Sequence, residues 1–144
     1  MNRIENARVL FFDEMPIRRI LEFHSDYYPV MLRILDVAYE RNIQMVASPV
    51  TLSDICFQAF AKGSPVLARE YKEFFTRSSR FSLREVDAEI SVQAAEFRAR
   101  SKMSFEESIQ LATAYVCGAD MVLTENESWK DASDLNIVLL REFI

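Results

Sequence analysis

The chain has 144 residues, half of them hydrophobic and 12% aromatic, which gives enough apolar mass for one real core and excludes a disordered chain. Its net charge of −5 excludes a generic basic coat for nucleic acid. That balance still permits a protein that holds a cation in carboxylates and meets nucleic acid through a local basic patch.

In chain order, the opening Met1-Asn2-Arg3-Ile4-Glu5-Asn6-Ala7-Arg8 is polar and unlike a signal peptide. Val9-Leu10-Phe11-Phe12 is an apolar run of strand length that ends in Asp13-Glu14. Pro16 suits the first position of a helix, with Ile17, Ile20 and Leu21 on one face and Arg18 and Arg19 towards another. Tyr27 to Arg41 carries Val30, Ile34, Val37 and Ala38 at helical spacing, and Ile43 to Ala47 is a second strand. Ser48-Pro49 opens the next helix, which contains Thr51, Asp54, Ile55, Phe57 and Ala61. Gly63-Ser64-Pro65 breaks it, and Val66 to Thr76 is helical again. Phe81 to Val86 alternates as a short, less buried strand. Asp87 caps a helix reaching about Ser101, with Ile90, Ala94, Ala95 and Phe97 inward.

The most ordered signal comes next. Ser104 is an N-cap with Glu107 at capping-box spacing, Ala112 and Ala114 allow close packing on a sheet, and Gly118 closes the helix. Met121-Val122-Leu123 then reads as a strand covered on both faces, ending in Thr124-Glu125-Asn126. Asn136 to Leu140 is a closing strand, and Trp129 packs under the loop before it. Strands alternating with helices predict an α/β fold, a parallel sheet between helical layers, in a single domain over residues 1–144.

Two glycines leave no glycine-rich phosphate loop, so nucleotide-binding readings fall away. No apolar run approaches the ~20 residues of a membrane span. Cys56 and Cys117 lack metal-type spacing and read as buried thiols of a cytosolic, cytoplasmic protein. His24, the sole histidine, has no Ser or Cys nucleophile motif near it.

The carboxylates carry the chemistry. Asp13 ends the first strand and Thr124-Glu125-Asn126 the fourth, and those ends are neighbours if the chain reverses around strand one. Asp54 and Glu107 sit near helix starts beside such strand ends, where they equally suit a helix dipole. Acids converging on one cleft repel one another unless a cation joins them, and hard oxygen donors without a Cys/His cluster suit Mg²⁺ or Mn²⁺. Glu14 and Glu125 read as solvated, and Arg18 and Arg19 either contact substrate phosphate or are solvated.

With these residues the chain resembles the PIN-domain family, metal-dependent ribonucleases that include the toxins of bacterial toxin–antitoxin pairs. The resemblance rests on Val9 to Asp13, Ser48 to Asp54 and Ser104 to Asn126. It implies a three-layer sandwich with a five-stranded parallel sheet in order 3-2-1-4-5. It also implies Asp13, Asp54, Glu107 and Asn126 as the catalytic set, the first three as metal ligands. Thr124, Arg18 and Arg19 would be substrate-binding, and Mg²⁺ or Mn²⁺ the cofactor. The implied partners are an RNA substrate, an antitoxin protein and a second copy in a homodimer, with no membrane. The chain departs from the family pattern in having Glu14 after the first acid, Asp54 for Glu, Glu107 for Asp, and Asn126 where Asp is frequent. Two activities follow: hydrolysis of RNA phosphodiester bonds, or a PIN-like module that has lost its chemistry and binds protein or RNA.

Overall fold

The computed structural model describes residues 1–144, and its organising feature is the apolar run Val9–Phe12 (β1), central in a five-stranded parallel sheet. β1 is flanked by β2 (Gln44–Ala47) and β4 (Met121–Thr124), and the outer strands are β3 (Phe81–Leu83) and β5 (Ile137–Leu139). The order is β3-β2-β1-β4-β5, as the family resemblance implies. The register sets Leu10 beside Met45 and Met121, and Phe11 beside Val46 and Val122.

Alternation along these strands divides the core. Leu10, Phe12, Met45, Leu123 and Val138 face one layer, and Phe11, Val46, Val122, Ile137 and Leu139 face the other. The first layer holds α1 (Asn2–Glu5), α2 (Glu14–Leu21), α3 (Tyr27–Glu40) and α5 (Pro65–Arg77). The second holds α6 (Ala88–Arg100) and α7 (Phe105–Val116), with Trp129 fully buried among them from a 3-10 helix at Glu127–Asp131. Between the layers, α4 (Pro49–Ala61) sends Ile55 into the first core and Val50 against the second.

Local chemistry explains the boundaries. The side chains of Asp13, Ser48, Asp87 and Ser104 each accept a backbone N–H from the first turn of the helix that follows. Gly118 ends α7 at φ +71°, a conformation that costs a glycine nothing. His24 Nδ1 accepts the amides of Asp26 and Tyr27, each at 3.2 Å, so the sole histidine is spent on the start of α3. No helix is long and apolar enough to cross a membrane.

Some details differ from the sequence reading. α2 begins at Glu14, not Pro16, because Asp13 itself is the cap and Pro16, in the first turn, lacks only an N–H that would have no intrahelical partner. The opening segment forms α1, whose Ile4 is fully buried. β3 stops at Leu83, short of Val86, and Ala95 faces solvent while Ile90, Ala94 and Phe97 pack inward. Cys56 and Cys117 are free but only half-buried.

The start of β1 is fixed by a distant residue. Asp120 Oδ2 accepts the amides of Arg8 at 2.7 Å and Val9 at 2.8 Å, just before β4 begins. Asp120→Ala removes an ionised acceptor from two amides, and the expected loss is about 2 kcal/mol of stability. Urea unfolding reads this as a lower midpoint at unchanged slope.

Candidate functional site

The chain leaves β1, β2 and β3 in one direction across the sheet and returns through β4 and β5 on the other side. The crevice at the C-terminal ends of β1 and β4 is therefore the switch point, where open parallel sheets bind ligands. A cleft of about 570 Å³ opens there, lined by Asp13, Glu14, Met15, Glu107, Glu125, Asn126, Glu127 and Ser128.

Asp13 lies at its floor. Its backbone amide donates to the Leu123 carbonyl at 2.9 Å, which ties it to β4. Oδ1 accepts the Glu14 amide at 2.8 Å, and Oδ2 accepts the Thr124 hydroxyl at 2.7 Å. Burial pushes the Asp13 carboxyl up to about 6; the Thr124 and Glu14 hydrogen bonds oppose this, and the charges of Glu107 and Glu125 reinforce it. Thr124 is wholly buried and also accepts the Asn126 amide at 3.0 Å, so one hydroxyl links two sequence-predicted site residues.

The other predicted residues divide. Glu107 sits in the first turn of α7 and lines the cleft with Asp13. Only half of the capping box forms, since Ser104 accepts the Glu107 amide at 3.1 Å and the Glu107 carboxylate lines the cleft instead. Asn126 lines the cleft as well, but its Oδ1 accepts from the Ser128 amide and hydroxyl and caps the 3-10 helix. Asp54 is not part of that lining; it neighbours the Glu14 carboxyl from α4. Burial first, then hydrogen bonding and charge from the neighbouring Asp54, push the Glu14 carboxyl up to about 7, against the pull of Arg18.

Both arginines are turned onto acids of the protein. Arg19 grips Glu125 with two parallel bonds of 2.8 Å and lies over the Tyr27 ring. Arg18 pairs with Glu14 and Glu22, each at 3.3 Å, and donates to Gln58.

Beneath the acids is a connection that the sequence reading did not single out. Gln110 Nε2 donates to Thr51 Oγ1 at 2.7 Å, and both residues are buried. Each lies one turn from a predicted acid, Gln110 after Glu107 on α7 and Thr51 before Asp54 on α4, so the bond sets the spacing of the two helices. A glutamine between Ile109 and Leu111, on a buried stretch of α7, was the visible signal. Thr51→Val would leave both polar ends of Gln110 unpartnered, since its Oε1 already has no partner. A loss of about 2 kcal/mol is expected in denaturant unfolding.

The cleft's donors are all oxygens, which suits a hard divalent cation. No three acidic, histidine or cysteine side chains converge in ligating positions. The fit is therefore to an ion held by one or two carboxylates that completes its shell with water, the common manner of binding Mg²⁺.

No family model matches the sequence, and no curated protein matches it. Solved structures do match its backbone. VapBC2 from Rickettsia felis, bound to a promoter DNA fragment, shares 15% identity at a TM-score of 0.71, over 91% of this chain and 98% of that one. DNA-bound VapBC from Salmonella typhimurium shares 17% at 0.71, over 91% and 97%. VapC20 from Mycobacterium tuberculosis, a toxin that cleaves the sarcin-ricin loop, shares 14% at 0.67, over 86% and 95%. The common element is the α/β architecture around a parallel sheet in the order 3-2-1-4-5, and the chain folds as a PIN domain.

Proposed function

We propose that this chain is a single-domain, cytoplasmic, metal-dependent endoribonuclease that hydrolyses RNA phosphodiester bonds, the toxin of a pair restrained by an antitoxin. The observation that carries the reading is Asp13, enclosed at the switch point and opening onto an acid-lined cleft. Mg²⁺ or Mn²⁺, bound there, would supply Lewis-acid polarisation of the phosphodiester and a more acidic water. Asp13 and Glu107 are its candidate ligands, with Asp54 behind Glu14. Thr124 holds the Asp13 carboxylate in a fixed rotamer, so no reorganisation is needed when the ion and substrate arrive. Asn126 lines the cleft, where it would face the substrate. Arg18 and Arg19 balance the acids next to it and reach substrate phosphate only by exchanging those partners.

An antitoxin partner is supported by the resemblance to toxin–antitoxin complexes and by Phe57 and Phe60 on α4, which are 70% and 59% exposed. Such apolar faces also suit a homodimer.

The test is cleavage of single-stranded and structured RNAs in Mn²⁺ with the product ends identified. Attack of water with the 3′ oxygen as leaving group gives a 5′-phosphate and a 3′-hydroxyl; a 2′,3′-cyclic phosphate would mean attack by the neighbouring 2′-hydroxyl instead. A second reading, a PIN-like module without chemistry that binds protein or RNA, is favoured by the internal pairing of both arginines. It predicts RNA or protein binding with no Mn²⁺-dependent product.

A further inference from the structure

We propose that the groove between the end of α6 and the start of α7 is a subsite for single-stranded RNA, in which Arg98 and Lys102 take a backbone phosphate and the Phe105 ring stacks on a nucleobase. The subsite rests on the ribonuclease reading above and states where the substrate strand runs outside the cleft.

The first observation is charge. A groove of about 450 Å³ opens there, lined by Ala95, Arg98, Ala99, Ser101, Lys102 and Met103. Its lining holds two cations and no acid, on a chain whose net charge is −5. Arg100 close by is paired with Glu96 at 3.3 Å, whereas Arg98 and Lys102 pair with no acid. Both are exposed, so a polyanion reaches them without displacing an internal partner. The small side chains of Ala95, Ala99 and Ser101 leave room between them for a polymer backbone.

The second observation is the ring beside those cations. Phe105 is the first residue of α7 and is 55% exposed. The Arg98 guanidinium lies over it, 5.5 Å from the ring centroid. A single exposed aromatic is ordinary. An exposed ring held against an unpaired guanidinium joins the two parts from which single-strand grooves are built, cations that follow the phosphates and rings on which bases stack.

The groove also adjoins the cleft. Glu107, which lines the cleft, follows Phe105 by two residues in the same turn of α7. At 3.6 residues per turn their side chains leave the helix about 200° apart, so a strand reaching both crosses the N-terminal end of α7. The acids of the cleft and the exposed Glu106 repel phosphate there, and the two free cations offset that repulsion.

The experiment is fluorescence anisotropy of a labelled single-stranded RNA of about 12 nucleotides with the full chain, in chelator so that nothing is cut. It compares wild type, Phe105→Ala, Phe105→Trp, the double variant Arg98→Gln/Lys102→Gln, and Lys72→Gln, with circular dichroism melting of each. Lys72 is an exposed, unpaired cation on α5, on the other face of the sheet.

Phe105→Ala is expected to weaken binding about 5-fold or more, and Phe105→Trp to stay within about 2-fold of wild type. The double variant should weaken binding and lower the slope of log affinity against log salt by about 1.4, while Lys72→Gln leaves both unchanged. Wild-type affinity in Phe105→Ala, or a loss in Lys72→Gln as large as in the double variant, overturns the subsite. Equal affinity of wild type for a poly-glutamate peptide of the same net charge also overturns it and makes the groove a seat for an acidic protein segment. Groove-dependent RNA binding without any cleavage in Mn²⁺ supports the subsite and removes the ribonuclease reading alone. Mn²⁺-dependent cleavage with RNA affinity unaltered in every groove variant does the reverse.

Discussion

Asp13→Asn is expected to lower metal-dependent RNA cleavage at least ~10²-fold, about 2.7 kcal/mol of barrier, while leaving the protein folded and more stable. Asp13 is the acid that sits deepest and is held by β4 through both its backbone and its side chain. The amide keeps the shape of the carboxylate. Its oxygen can accept the Glu14 amide, and its NH₂ can donate to the Thr124 hydroxyl. What disappears is a half-buried negative charge facing Glu107 and Glu125, along with its capacity to hold a cation. Catalysis and stability should therefore move in opposite directions, the trade-off of a site built on buried like charges. Thermal melting at pH 7.5 without divalent cations should show Asp13→Asn several degrees above wild type. A variant that is both inactive and less stable would mean that Asp13 matters for packing alone.

The second large effect is on stability against pH. Asp13 is raised to about 6 and Glu14 to about 7, both above the ordinary carboxyl range. Between roughly pH 4 and 7 the folded chain therefore binds more protons than the unfolded chain, and stability must fall as pH rises through that window. For the enclosed Asp13 a rise of this size corresponds to about 3 kcal/mol at full ionisation. Glu14 is more open to solvent and adds less. A chain of this length should lose on the order of 5–10 °C of melting temperature between pH 5 and pH 7.5. Millimolar Mn²⁺ favours the ionised carboxyls and should raise the melting temperature at pH 7.5 by mass action, flattening the profile. The measurement is a melting series from pH 4.5 to 8 with and without the ion. A profile that rises with pH in the absence of metal would contradict the burial of charge at this site.

Most of the architecture was legible because local chemistry and tertiary role coincide. Val9–Phe12 is apolar at every position because both faces of a central parallel strand are covered. Ser48-Pro49, Asp87, Ser104 and Gly118 state helix ends in side-chain and backbone terms that need no distant partner. Four-residue α1 was illegible because a single buried residue, Ile4, anchors it and has no periodicity to display.

The site was legible to the extent that strand ends announce it. Asp13, Glu107, Thr124 and Asn126 come together as their places in the element order imply. The network around them was not legible, because it depends on pairs far apart in the chain. Arg19 and Glu125 are 106 residues apart, Arg18 and Gln58 40, and Gln110 and Thr51 59. Glu14 read as solvated because its i,i+4 pairing with Arg18 is the signature of an exposed helix pair. Its burial, and then the nearness of Asp54 on α4, are what change its character.

The central claim, a cation-dependent hydrolytic site centred on Asp13, is tested most directly by one side-by-side assay. Pooled RNA is incubated with wild type and Asp13→Asn at equal concentration, in Mn²⁺ and in excess chelator, and the products are resolved by size. Cleavage by wild type in Mn²⁺ alone, lost in the chelator and reduced at least ~10²-fold in the variant, is the predicted result. Equal product from both proteins, or product that persists in the chelator, would contradict it.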